Sequence, residues 1–224
     1  MKAGETTQIK KGRLVVIPGM GADFRLFAGI SFPNWEMEIL DYIPHRPGES
    51  LRDYALRMLD GVPKNEAFAL LGVSMGGMLA VEMAKERKVE KLVLISSAKG
   101  RSELPWRLRI QTQLPLLHLL PSGIVPYFYG LASWAMGIKN KKGRDLFVDM
   151  SRKARVAFFK WAIVAIGRWD NQEHPKCLHI HGTKDLVLPV LGQKNVIWIE
   201  GGTHWIIQQQ KHLIIEKVSE YLEA

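Results

Sequence analysis

Apolar and polar residues follow two rhythms along this chain, one close to two residues and one close to 3.6. Arg13 to Ile17 (RLVVI) is a short apolar run delivered to Pro18-Gly19, the pattern of a core strand ending in a turn. Trp35 to Ile43 alternates apolar and polar and predicts a second strand. From Ser50 to Leu59 the period changes, placing Leu51, Tyr54, Ala55, Met58 and Leu59 on one side of a helix. Ser50 and Asp53 stand where a capping box would, with Asp in place of the usual Glu or Gln. Ala67 to Val73 reads as a strand buried on both faces, followed by a helix through Arg87 and a further buried strand, Lys91 to Ser96. Cys177 to His181 and Val196 to Ile199 add two short strands, and His204 to Leu222 predicts an amphipathic closing helix. Six strands, apolar on both sides and separated by helices, predict an α/β fold: a minimal, doubly wound, mostly parallel sheet covered on both faces.

Residues 101–176 break this alternation. Apolar stretches there are punctuated by Pro105, Pro115, Pro121 and Pro126, predicting a helical cap or lid inserted into a core made of residues 1–100 and 177–224. Leu114 to Ile138 is rich in Leu, Tyr, Phe, Trp and Met, but its prolines and glycines argue against a membrane span. Ser151 to Trp169 predicts a single helix, with Ala154, Ala157, Phe158, Trp161, Ala162, Ala165 and Ile166 opposite Arg152, Arg155 and Lys160.

Charge sharpens this division. The chain of 224 residues carries 31 basic and 22 acidic side chains, a formal net charge of +9. Residues 1–100 hold 14 basic and 12 acidic groups, residues 101–176 hold 13 and 5, and residues 177–224 hold 4 and 5, so the excess lies in the predicted cap. Such a surface is either a solvated face that aids solubility or a dock for an acidic partner, a phosphorylated ligand or an anionic membrane. No nucleic-acid recognition motif accompanies it. The lone Cys177 cannot form an internal disulfide and is expected in a buried strand. The first dozen residues lack the apolar core of a secretory signal, so a cytoplasmic protein with no transmembrane segment is expected.

Chemistry concentrates in three glycine-flanked turns. Gly72-Val73-Ser74-Met75-Gly76-Gly77 is a G-x-S-x-G directly after a buried strand and directly before a helix. Such a turn strains the serine backbone, needs glycine two residues to either side, and sets the hydroxyl beside a helix N-terminus that favours developing negative charge. A serine hydroxyl needs a base, and the base an orienting acid. Asp185 follows a strand end in His181-Gly182-Thr183-Lys184-Asp185, and His204 follows the next in Gly201-Gly202-Thr203-His204. Of seven histidines, His45, His118, His174, His179, His181 and His212 are expected at surface or packing positions. Two backbone donors are needed for an oxyanion: the N–H of Met75, and that of Met20 in Pro18-Gly19-Met20-Gly21, with Gly21 as the fallback. Asp23 nearby fits a turn or a helix cap. Met20, Met75, Met78 and Trp205 are candidates for an apolar substrate pocket, the methionines reading equally as ordinary core. No metal-ligand cluster or phosphate-binding glycine loop is present, so no cofactor is expected.

These residues (PGMG at 18–21, GVSMGG at 72–77, HGTKD at 181–185 and GGTHW at 201–205) resemble the α/β-hydrolase superfamily over nearly the whole chain. The resemblance implies a Ser74, His204, Asp185 triad and a carboxylesterase-like hydrolysis of a small acyl ester or thioester. Pro18 stands where the family commonly has histidine, and with about a dozen residues before the first core strand the family's usual first two antiparallel strands are not expected. Size and predicted lid are also similar to hydrolases of pimeloyl carrier-protein methyl esters, whose acidic partner docks on a basic lid. A binding protein that keeps the pocket but turns over slowly or never is the alternative. A serine at the elbow argues against haloalkane dehalogenase chemistry, which needs a carboxylate there.

Overall fold

The computed structural model describes residues 12–64, 66–111, 123–189 and 194–224. Six strands, β1 (Gly12–Ile17), β2 (Trp35–Ile39), β3 (Phe68–Val73), β4 (Leu92–Ile95), β5 (Leu178–Gly182) and β6 (Ile197–Ile199), form one sheet in the order β2-β1-β3-β4-β5-β6. All five pairings are parallel. The inner strands are apolar on both sides because both sides are covered. On one face Val15, Ile17 and Leu70 pack under α1 (Leu51–Leu59) and α2 (Met75–Glu86). On the other, Leu14, Val16, Leu71 and Ile180 pack under the C-terminal helices α7 (Ile206–Gln209) and α8 (Lys211–Glu223). This is the expected doubly wound sheet. Its two edges are less covered: Ile197 and Trp198 of β6 are exposed, and β2 buries only Trp35.

Helix α1 follows its sequence pattern closely. Leu51, Tyr54, Ala55, Met58 and Leu59 are its buried residues, Ser50 Oγ accepts the Asp53 N–H at 3.1 Å, and the Ser50 hydroxyl donates to the Asp53 carboxylate at 2.7 Å.

Three elements depart from the pattern. The second strand stops at Ile39 rather than Ile43, because among the described residues it pairs only with β1, which runs into Pro18. Beyond Leu40 the chain is held by tyrosines instead: Tyr42 donates to the Pro18 carbonyl at 2.6 Å, and the Ile43 N–H donates to Tyr54 Oη at 3.0 Å. The helix expected over 151–169 is two helices, α5 (Lys141–Lys153) and α6 (Val156–Arg168), separated by extended backbone at Ala154 and Arg155. The stripe continues across the break, but its halves serve opposite faces of the sheet. Phe147 and Met150 of α5 join the core beneath the C-terminal helices, while Phe158, Trp161 and Ala165 of α6 join the core beneath α1 and α2. One straight helix cannot reach both. The closing helix, expected to start at His204, begins at Ile206 and is interrupted at Gln210.

Between β4 and β5 the described residues also include a 3₁₀ turn (Arg101–Glu103), α3 (Trp106–Gln111), a second 3₁₀ turn (Val125–Phe128) and α4 (Tyr129–Ala135). Pro115, Pro121, His118 and much of the apolar stretch starting at Leu114 lie outside the described residues, as does the first part of the N-terminal segment. No helix among the described residues is long and apolar enough to cross a membrane. Cys177 is not in a strand: it stands one residue before β5, half-buried, and burial pushes its thiol up to about 11, which keeps it protonated.

Candidate active site

Three turns at the C-terminal ends of β3, β5 and β6 build the site, and close backbone contacts explain the glycines. Ser74 joins β3 to α2 with φ 54° and ψ −122°, a conformation that L-residues rarely adopt. A Cβ on Gly72 would sit 2.4 Å from the Gly76 carbonyl oxygen, and one on Gly76 would sit 2.3 Å from that of Ile17. The turn is pinned by Ser74 N–H on the Ile95 carbonyl (2.9 Å) and by Ser97 Oγ–H and Gly77 N–H on the Ser74 carbonyl (2.7 and 2.9 Å). Ser97 is a contribution that the strand pattern gave no reason to single out. Met75 opens α2, where its amide N–H has no partner within the helix.

The β5 and β6 turns lock onto each other. A Cβ on Gly182 would meet the Gly202 carbonyl oxygen at 2.3 Å, Lys184 N–H donates to that same carbonyl at 2.8 Å, and Gly201 N–H donates to Thr183 Oγ1 at 2.9 Å. These contacts bring Asp185 and His204 together. His204 Nδ1 lies 2.6 Å from Asp185 Oδ2, and His204 Nε2 lies 2.9 Å from Ser74 Oγ. Asp185 is 3% and His204 2% exposed, whereas Ser74 is partly open. The other carboxylate oxygen, Oδ1, accepts the N–H groups of Val187 and Leu188, each at 2.8 Å. Burial alone would push the Asp185 carboxyl up, but the imidazoles of His204 and His181 against it hold it well below the usual carboxylate range.

Gly19 lies beside this group: a Cβ there would be 3.4 Å from Ser74 Cβ. The loop from 18 to 23 is closed by Ala22 N–H on the Gly19 carbonyl (2.9 Å), and Gly21 takes φ 76° under the Phe159 ring. Asp23 caps the next turn by accepting the Arg25 N–H at 3.0 Å.

The substrate-pocket candidates fare differently. Met75 and Met78 are buried in the core under α1, and Trp205 packs edge-on against Phe147 at 6.0 Å in the opposite core. Their side chains are occupied in packing, which leaves Met20 as the half-buried one of the four. His179 and His181 take the packing alternative: both are buried, and His181 also reaches Asp185. The H-G-x-x-D spacing, with imidazole and carboxylate four residues apart across a strand end, is the signal that could have found it. Among the described residues no group of three or more His, Cys, Asp or Glu is placed to hold a metal ion.

The model of the alpha/beta hydrolase family matches residues 14–216, nearly the whole chain. The chain belongs to the alpha/beta hydrolase family. Solved structures similar to this hydrolase-family chain include a thermophilic esterase from Thermogutta terrifontis (14% identity, TM-score 0.68, covering 96% of this chain and 91% of that one). MenH from S. aureus is similar at 14% identity and a TM-score of 0.71, covering 95% and 93%. The enol-lactonase from Burkholderia xenovorans LB400 is similar at 17% identity and a TM-score of 0.67, covering 95% and 92%. At these identities the likeness is one of fold. No curated protein matches this member of the family in sequence.

Proposed function

We propose that the protein is a serine hydrolase that cleaves a carboxylic ester or thioester of a small acyl substrate, through an acyl-enzyme on Ser74. The observation that carries this reading is the continuous contact from Ser74 Oγ to His204 Nε2 and from His204 Nδ1 to Asp185 Oδ2, at 2.9 and 2.6 Å. In this arrangement Ser74 Oγ attacks the carbonyl carbon as His204 Nε2 takes its proton. The imidazolium so formed is stabilised by the Asp185 carboxylate, whose two bonds from Val187 and Leu188 keep it from turning away. The N–H groups of Met75 and Met20 receive the oxyanion. Collapse of the tetrahedral intermediate expels the alcohol or thiol, which takes the proton from His204. Water then repeats the sequence on the acyl-enzyme and frees the acid. Every proton and charge in these steps is handled by groups of this chain.

Residues 101–176 form the cap over this site in our reading, and their basic excess receives an acidic carrier protein or an anionic ligand. The esterase from T. terrifontis and the enol-lactonase from B. xenovorans, built on the same fold, are consistent with ester chemistry. The test is incubation of wild type and Ser74→Ala with a fluorophosphonate probe, read by mass spectrometry, with hydrolysis of p-nitrophenyl esters of increasing chain length. Labelling at Ser74, its loss in the alanine variant and turnover that tracks chain length are the expected results. A wild type that neither takes the probe nor turns over any ester would give the lead to a ligand-binding protein.

A further inference from the structure

The carboxylate that faces His204 carries a second imidazole. His181, on β5, is completely buried, and its Nε2 lies 3.0 Å from Asp185 Oδ2 and 2.9 Å from the Leu188 carbonyl oxygen. Both neighbours are acceptors, so Nε2 holds the proton and donates. The other ring nitrogen, Nδ1, is buried with no hydrogen-bond partner. Protonating it would strand a charged N–H in a dry wall, so the ring is the neutral Nε2–H tautomer. Asp185 Oδ1 is already engaged by two backbone N–H groups. Oδ2 is therefore shared, with His204 Nδ1 at 2.6 Å on one side and His181 Nε2 at 3.0 Å on the other.

We infer that His181 is a positioning residue of this site: its Nε2–H, steadied by the Leu188 carbonyl, fixes the Asp185 carboxylate and tempers the charge that Oδ2 presents to His204. The inference rests on the roles proposed above for Ser74, His204 and Asp185. A carboxylate oxygen that accepts two bonds offers less to each donor. With His181 silenced, Oδ2 accepts from His204 Nδ1 alone: the bond between them strengthens, and the carboxylate loses one of the contacts that hold it in place. The titratable groups facing the His181 ring among the described residues are few. Asp185 is in direct contact with it, with His204 beyond. His179 on the same strand has its ring centroid 5.6 Å away and is itself under the influence of Lys99. From β6 the neighbour is Trp198, which carries no charge. A side chain that served only to fill space would affect folding and leave the bond between His204 Nδ1 and Asp185 Oδ2 as it is.

The deciding experiment is histidine ¹⁵N–¹H NMR on the full chain, titrated with pH, for wild type, His181→Leu and His181→Gln, with probe labelling and ester turnover alongside. In the wild type, His181 should read as the Nε2–H tautomer. In His181→Leu, the His204 Nδ1–H proton resonance should move downfield as its bond to Asp185 Oδ2 strengthens. In His181→Gln, whose amide N–H reaches the same place, it should return to the wild-type value. The kcat of His181→Leu should fall about tenfold with KM unchanged, because the Asp185 carboxylate has lost one of the hydrogen bonds that hold it, a loss the size of one hydrogen bond to a charged group. A wild-type His181 carrying its proton on Nδ1, or on both nitrogens, would overturn the inference. So would an unmoved His204 Nδ1–H resonance in His181→Leu, or a shift in His181→Gln equal to that in His181→Leu. Should the leucine variant not fold, the wild-type tautomer and the glutamine variant decide. A wild type that takes no probe and cleaves no ester removes the hydrolase reading, while the NMR comparison still decides His181.

Discussion

At the scale of single residues, the site is a set of groups whose proton positions are dictated by their neighbours. Asp185 is the sharpest case, because an amide in its place forces a donor toward two imidazole nitrogens. Asp185→Asn should preserve the Oδ1 bonds from Val187 and Leu188, impose the wrong tautomer on His204, and lower kcat on a p-nitrophenyl ester about 10⁴-fold with little change in fold. His179 makes a different prediction, one of stability. Burial, reinforced by His181 and Lys99, lowers its pKa from 6.5 to about 3. The unfolded chain therefore binds a proton at this residue that the folded chain refuses. The stability this supplies is complete above about 6.5 and is lost progressively as pH falls toward 3. Urea midpoints of His179→Leu and wild type, measured across that window, should show a shallower acid decline in the variant. At this scale much could be read from the chain alone. Ser74, Asp185 and His204 announce themselves because each turn needs glycine within a few residues, a steric demand that is local. His181 does not, because its role depends on which way a buried ring faces across the end of a strand.

Among the elements, the junction of β3 and α2 leaves no room for a side chain at its glycines. Gly76→Ala drives a methyl group into the backbone carbonyl of Ile17, 2.3 Å away, where no rotamer change can relieve it. It should cost more than about 3 kcal/mol, read as a lowered urea midpoint or as loss of soluble protein. Gly130→Ala in α4 is the control: nothing lies within 4 Å of the added carbon, and the helix should gain up to about 1 kcal/mol. Element type was legible for all six strands and for α1, where periodicity and burial coincide. Element ends were not. The interruption at Ala154 and Arg155 is invisible to a pattern of apolar spacing, since the stripe runs through it, and it is imposed by two cores on opposite faces of the sheet. The end of β2 at Ile39 is likewise a matter of where its partner β1 stops.

For the molecule as a whole, charge and topology set the expectations. Arg152, Lys153 and Arg155 lie at the α5–α6 break, and Lys153 and Arg155 help line a cavity of ≈ 430 Å³ that reaches Gly21 in the loop beside Ser74. Reversing the three charges should weaken turnover of a carrier-protein-bound or anionic acyl substrate and spare a small neutral ester; equal loss on both would remove the docking idea. The parallel sheet has a kinetic corollary. Because none of the six described strands runs antiparallel to its neighbour, none of their pairings can be closed by a tight hairpin, and β5 meets β4 from far along the chain, Leu178 opposite Val93. Contacts so distant in sequence make for slow folding. During synthesis the nascent chain would expose the bare rim of β4 until β5 leaves the ribosome, and refolding from denaturant should depend on keeping that rim from pairing with another molecule.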